Sequence, residues 1–169
     1  MGLFSLNLKS FDDLYVAQLK DLYSAESQLV DALPKMADAA AHPDLKQAFM
    51  RHLETTRRQK DRLEQIGKNL GKSLSGETCE AMKGLVKEGQ EIIDADGDEA
   101  VRDAGLIAAA QRVEHYEIAG YGTVRTFAER LRRDDDARLL AETLAEEEAT
   151  DDSLTQLAES IVNPFAAEA

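Results

Sequence analysis

Apolar side chains recur every three or four residues along four long stretches of the chain, a spacing typical of amphipathic α-helices. The four stretches cover residues 10–41, 43–70, 99–131 and 136–161, and a shorter stretch covers residues 78–94. Only three prolines and ten glycines occur in 169 residues, and no alternating strand pattern competes with the helical one. The sequence therefore predicts an all-α fold in a single domain spanning residues 1–169.

The lengths of the links between these helices indicate how they are arranged. Short polar turns join the first two long helices and the last two, so each pair is expected to form an antiparallel hairpin. The connection between the two hairpins is much longer and contains the short helix at 78–94. One long crossover is typical of a ferritin-like bundle, so we expect a ferritin-like four-helix bundle with the short helix in the crossover between helices 2 and 3.

Polar and charged residues interrupt the apolar face of every long helix. Counted from the first turn, Glu26 lies about sixteen residues before it and Gln59 about as far after it. Glu117 and Asp151 each lie seventeen residues from Asp134, on opposite sides of the second turn. The polar residues of each hairpin are therefore expected to meet at one height. The candidate metal ligands are Glu26, Gln59, Glu114, Glu117, Glu147 and Asp151, with Glu148 and His52 ranked behind them.

Several buried carboxylates side by side would cost roughly several kcal/mol each unless something cationic compensates them. Two divalent metal ions held between the helices would do so, and inward-facing glutamates from four helices are how dimetal carboxylate sites are built. Shared protons or nearby arginines are the alternative, and Arg57, Arg62 and Arg112 are the candidates for it, with Arg62 best placed. Metal ligation is the more economical interpretation, and the alternative stays open at this point.

Several segments resemble the YciE/YciF family of bacterial ferritin-like proteins. They are DAGLIAAAQRVEHYEIAGYGTVRTFAERL (103–131), LAEEEATDDSLTQLA (144–158), YSAESQL (23–29) and HLETTRRQKDRLEQI (52–66). The resemblance covers nearly the whole chain. It implies a four-helix ferritin-like bundle that is usually dimeric and linked to bacterial stress responses, but it does not assign a biochemical activity.

A looser resemblance links the chain to rubrerythrin-type di-iron bundles. The segment EHYE (114–117) is similar to their helix-three Glu-x-x-Glu pair, and Glu147 follows it at a similar spacing. Their helix-two Glu-x-x-His is missing, since the corresponding positions read TRRQ (56–59) or QKDR (59–62). Asp151 stands where the last helix would carry a histidine. Such an oxygen-rich site could hold iron, manganese, magnesium or calcium.

The leading hypothesis is a ferritin-like protein that binds two divalent metal ions, with iron the first expectation and manganese the second. If the protein is an enzyme, the expected class is a metal-dependent oxidoreductase that oxidises ferrous iron or disposes of peroxide, with no catalytic residue assigned. The alternative is a structural or partner-binding stress protein whose metal site is inactive or empty.

Charge and composition bear on partners and location. A net charge of −13 argues against binding to nucleic acid or to anionic membranes, since both require a cationic surface. The single cysteine, Cys79, allows no intrachain disulfide, and no apolar run is long enough to cross a bilayer. We therefore expect a cytoplasmic protein. The expected assembly is a homodimer that buries the apolar flanks of its helices, as the resemblance to the YciE/YciF family also implies.

Overall fold

A computed structural model describes residues 8–169, and residues 1–7 lie outside the described part of the chain. Residues 8–169 contain no β-strand, and six α-helices account for most of them. Their bounds are α1 Phe11–Ala39, α2 Pro43–Leu70, α3 Glu80–Ile93, α4 Glu99–Arg130, α5 Asp134–Leu157 and α6 Asn163–Ala167. Whether the chain forms one domain from residue 1 to 169 stays a prediction.

Most helix ends lie within two residues of the positions expected from sequence. The Ser10 side chain accepts a hydrogen bond from the backbone N–H of Asp13, whose carboxylate accepts one from the Ser10 N–H, so α1 begins with a capping box. The last helix differs most from expectation. It changes to a π-helical segment, Ala158–Val162, and then continues as α6 through Pro164, which lies in the first turn where a missing N–H costs little.

The four long helices α1, α2, α4 and α5 form a bundle of two antiparallel hairpins, α1 with α2 and α4 with α5. The crossover helix α3 packs on α1 and α4. The predicted ferritin-like bundle with a short helix in its crossover is thus confirmed. No helix within residues 8–169 combines the length and the apolar character needed to cross a membrane.

The hydrophobic core consists of two separate clusters. One contains Leu33, Phe49, Leu106 and Leu154, near the end of the bundle where α2 and α4 begin. The other lies toward the opposite end, around the residues Tyr15, Leu19, Leu63, Val124 and Leu140. Most of the buried polar side chains occupy the layer between the two clusters, with apolar packing above and below it.

The register between the two hairpins is set by Asp103. Its side chain is 2% exposed, and its two carboxylate oxygens accept hydrogen bonds from the backbone N–H groups of Ala41 and His42, at 2.9 and 2.7 Å. The turn between α1 and α2 is therefore held level with residue 103 of α4. Because α2 and α4 both run away from this point, residues at equal distances along the two helices lie at one height.

Candidate metal centre

Four buried side chains from three helices meet in the polar layer. They are His52 of α2, Glu114 and Glu117 of α4, and Glu147 of α5, and each offers a ligand atom within 4.8 Å of the other three. The Nδ1 atom of His52 lies 3.3 Å from Oε1 of Glu114, and its Nε2 atom lies 3.7 Å from Oε2 of Glu147. These distances are short enough for one metal ion to be shared by the group.

The ligand atoms of these four residues have no hydrogen-bond partner outside the group in the described part of the chain. This holds for both ring nitrogens of His52 and for both carboxylate oxygens of Glu114, Glu117 and Glu147. The three glutamates are fully buried and His52 is 4% exposed. Buried polar atoms are nearly always paired with protein or ordered water, so eight such atoms in one place call for a ligand, water or protons to satisfy them.

Burial also changes the acidity of the carboxyl groups. Loss of solvation raises the pKa of Glu114 and of Glu117 well above the usual value, and neighbouring carboxylates raise it further. Glu147 contributes to the raised pKa of both groups. Without a cation the layer can therefore exist only partly ionised, and a divalent cation would reverse this cost.

Glu26 lies beside the four-residue group without belonging to it. Its Oε1 atom accepts a short hydrogen bond from the hydroxyl of Tyr121, and its Oε2 atom has no partner within residues 8–169. Burial raises the pKa of Glu26, and the charge of Glu147 raises it further, while the Tyr121 hydrogen bond lowers it. Glu26 is near enough for its charge to raise the pKa of Glu117 in turn.

Gln59 is buried but directs its amide nitrogen away from the group. Its Nε2 atom donates to Oε2 of Glu146 at 3.2 Å, while its Oε1 atom is buried and unpartnered among the described residues. Arg62 donates to both carboxylate oxygens of Glu146, at 2.6 and 2.9 Å, and to Glu142. Arg62 therefore binds carboxylates of α5 that lie outside the four-residue group.

The arginines of the described chain do not neutralise the four-residue group. Arg57 pairs with the exposed Glu54, and none of the arginines in the described chain forms an ion pair with a member of the four-residue group. Protons or a metal ion remain as the compensating charge.

Two acidic candidates do not belong to the four-residue group, although the charge of Asp151 is near enough to raise the pKa of Glu114. Asp151 is half-buried between α4 and α5, where it accepts a hydrogen bond from Nε2 of Gln111 at 3.2 Å and lies 3.4 Å from Nε2 of the exposed His115. Glu148 is exposed on α5. Their carboxylates have partners or solvent, so neither needs a cation for compensation.

His52 belongs to the group although the sequence placed it behind six other candidates. Counting residues within each hairpin places His52 about two helical turns from Gln59, and so outside the predicted height of the polar layer. The register between hairpins decides its position, because His52 lies ten residues beyond His42 and Glu114 lies eleven beyond Asp103. The buried Asp103 was the signal that could have given this register, but its partners are backbone groups that no sequence pattern marks.

The residues present fit a divalent transition metal. One imidazole and three carboxylates form a mixed nitrogen and oxygen donor set, which suits iron, manganese or zinc. The sequence predicted a set of oxygen donors, so the imidazole of His52 is the difference. Eight unpartnered buried donor atoms are the observation that supports this fit.

Comparison with known proteins finds one family and one curated relative that match nearly the whole of this chain. The sequence profile described as "Domain of unknown function (DUF892)" matches residues 10–167. Protein YciF of Escherichia coli (strain K12) is 48% identical over 159 residues, which cover 94% of this chain and 96% of that protein.

Solved structures give the same result. The crystal structure of the E. coli stress protein YciF superposes with a TM-score of 0.89, covering 92% of this chain and 99% of that one. YcfI, described as a putative structural protein from Rhodopseudomonas palustris, is 44% identical, with a TM-score of 0.86 over 90% of this chain and 98% of that one. A protein from Xanthomonas campestris pv. campestris, 22% identical, has a TM-score of 0.73 over 94% and 98% of the two chains and shows the fold alone. The chain therefore belongs to the DUF892 family, and the resemblance to YciF that its sequence indicated is confirmed.

Proposed function

We propose that this protein binds divalent transition metal, iron or manganese, between its helices. The observation that carries the proposal is the convergence of His52, Glu114, Glu117 and Glu147 within 4.8 Å, with every candidate ligand atom buried and unpartnered among the described residues. Glu26 and Gln59 each keep one free buried oxygen nearby, so they are the candidates for extending the site to a second ion.

Hydrogen bonds from surrounding side chains fix the polar residues next to the four-residue group. Tyr121 fixes one oxygen of Glu26, and Arg62 fixes Glu146, which in turn holds the amide of Gln59. The apolar clusters at either end of the layer limit its contact with water, and this strengthens the attraction between carboxylates and a cation. Bound iron or manganese would supply one-electron redox chemistry and Lewis acidity, so ferrous oxidation or peroxide disposal is the activity class we propose.

Equilibrium binding tests the proposal directly. Chelator-treated protein is titrated with Mn²⁺ and, without oxygen, with Fe²⁺ in a calorimeter. The wild type and Glu148→Gln, which changes an exposed residue of α5, are expected to bind alike. Glu147→Gln, one residue earlier but fully buried, is expected to bind at least tenfold more weakly. Equal binding by the two variants, or none by the wild type, would disprove it.

The relatives suggest a biological setting. YciF is described as a stress protein, and we propose a stress-related role for this chain as well. We also propose that it acts in the cytoplasm as a homodimer, which sedimentation analysis of the full chain would test. A chain that stays monomeric at micromolar concentration would refute the dimer without bearing on the metal site.

A second function is favoured by one feature of α2. Thr56 and Gln59 are buried at positions where rubrerythrin-type bundles would carry acidic and histidine ligands, so the site is poorer in ligands than theirs. This favours a non-enzymatic bundle whose metal has a structural role. Peroxide consumption by metal-loaded protein distinguishes the two functions, because the structural role predicts no turnover above that of free metal.

A further inference from the structure

A cleft opens on the face of the bundle between α2 and α5. Its volume is about 300 Å³, enough for at least about ten water molecules and hence for a hydrated cation. The α2 wall contains Arg51, His52 and Thr55, and the α5 wall contains Ala149, Thr150 and Ser153. Ala149 and Ser153 are exposed, whereas His52 is buried, so the cleft leads from solvent to His52.

His52 is the single residue shared by the cleft and the four-residue group in the described chain. Its imidazole lies at the inner end of the cleft, with Glu114 on one side at 3.3 Å and Glu147 on the other at 3.7 Å. Neither ring nitrogen has a hydrogen-bond partner among residues 8–169 that would hold the ring in place. A small ion in the cleft is thus separated from the carboxylates by one side chain.

The cavity on the opposite face of the bundle, between α1, α3 and α4, is only about 80 Å³ and touches none of the four ligand residues. A Cβ atom added at Gly120 of α4 would lie 2.7 Å from Cδ2 of Leu22 in α1, so these two helices approach closely. The crossover helix α3 packs over the same pair. The face between α2 and α5 carries no such cover within the described chain.

The cleft is also bounded along its length. Phe49 and Leu154, both buried, close the end toward the start of α2. Glu146, held by Arg62 at 2.6 Å, closes the other end. Between these ends Thr55, Thr150 and Ser153 line the walls. The Thr150 hydroxyl donates to the backbone carbonyl of Glu146 at 2.9 Å, so its oxygen is left to accept hydrogen bonds from the water around a cation.

We propose that the cleft between α2 and α5 is the route by which divalent metal ions enter and leave the centre, and that His52 is the first ligand an entering ion meets. This inference rests on the proposed metal binding and adds the path to it. A route differs from a ligand in its kinetic signature. Narrowing a route slows binding and release by the same factor, so the rates change while the dissociation constant does not.

Stopped-flow loading with Co²⁺ tests the route, since bound Co²⁺ is followed by its visible absorption and its release by mixing with excess chelator. Ala149→Phe and Ser153→Phe, each narrowing the cleft from the exposed α5 wall, are expected to slow both rates at least fivefold with an unchanged dissociation constant. Ala145→Phe is the matched control, because Ala145 is exposed one turn earlier on α5 and does not line the cleft.

The outcomes separate the route from the site. Wild-type loading and release rates in both Phe variants, with normal Co²⁺ affinity, would overturn the route and leave the metal site standing. Equal slowing by Ala145→Phe would likewise overturn it, because the effect would then not belong to the cleft. No Co²⁺ binding by the wild type would overturn the site, and the route with it.

Discussion

Replacing Glu117 with glutamine should make the stability of the metal-free protein fall less steeply as pH rises from about 5 to 7. Glu117 is fully buried, and both of its carboxylate oxygens lack a partner in the described chain. Loss of solvation, followed by the charges of Glu26 and Glu147, raises its pKa well above the usual value of 4.5. The folded protein therefore keeps a proton on Glu117 that the unfolded chain releases above about pH 4.5.

The sign and size of the effect follow from this proton. Between pH 4.5 and the raised pKa, the folded state binds more protons than the unfolded state, so the free energy of unfolding falls as pH rises. One such group contributes about 1.4 kcal/mol per pH unit. At pH 7, about two and a half units above 4.5, the penalty from Glu117 reaches at most about 3 kcal/mol. Glu117→Gln removes it, although the new amide costs about 1–3 kcal/mol if it stays unpaired.

The slope of stability against pH is thus the diagnostic quantity, because the amide cost does not depend on pH. Urea denaturation of chelator-treated protein from pH 5 to 7 measures it. Glu117→Gln should have a slope shallower than the wild type by about 1 kcal/mol per pH unit. Glu148→Gln, at an exposed site, should match the wild type. Identical slopes for wild type and Glu117→Gln would refute the assignment of a buried, protonated Glu117.

Three further predictions concern other parts of the site and the fold. His52→Ala should weaken Mn²⁺ binding at least tenfold in a calorimetric titration; unchanged affinity would exclude His52 as a ligand. Arg62→Met leaves the partly buried Glu146 without its arginine, so urea denaturation should show a loss of about 1–3 kcal/mol, and no loss would show that this ion pair contributes nothing. Gly120→Ala should lower the melting temperature because its Cβ would meet α1, whereas Gly122→Ala, with nothing within 4 Å, should raise it slightly; equal shifts would contradict the close approach.

The fold could be predicted because it depends on local patterns. Helical periodicity, the Ser10 capping box and the lengths of the turns all act over a few residues, and they gave the hairpins and the crossover helix. The last helix extends beyond the predicted end at 161, because the chain stays helical through Asn163 and Pro164. A π-helical segment before them lets the chain continue, and its formation depends on packing that a local pattern does not encode.

The candidate site could be predicted only within each hairpin. Counting from the turns placed Glu117 and Glu147 in the polar layer, and both are fully buried there. The same counting favoured Asp151, which the structure places between α4 and α5 with Gln111 as a partner. The height of His52 relative to Glu114 and Glu147 depends on the register between the hairpins. The hydrogen bonds of Asp103 to the first turn determine this register. Such contacts join residues about sixty positions apart, so no spacing rule reveals them.

The most direct test of the buried metal centre is anomalous diffraction from crystals of protein reconstituted with Mn²⁺ or Fe²⁺, measured on both sides of the metal absorption edge. The predicted result is a strong peak within about 2.0–2.2 Å of a His52 nitrogen and of oxygens from Glu114, Glu117 and Glu147. The contradicting result is a well-ordered layer with no anomalous peak, in which hydrogen bonds between protonated carboxyl groups satisfy the four side chains.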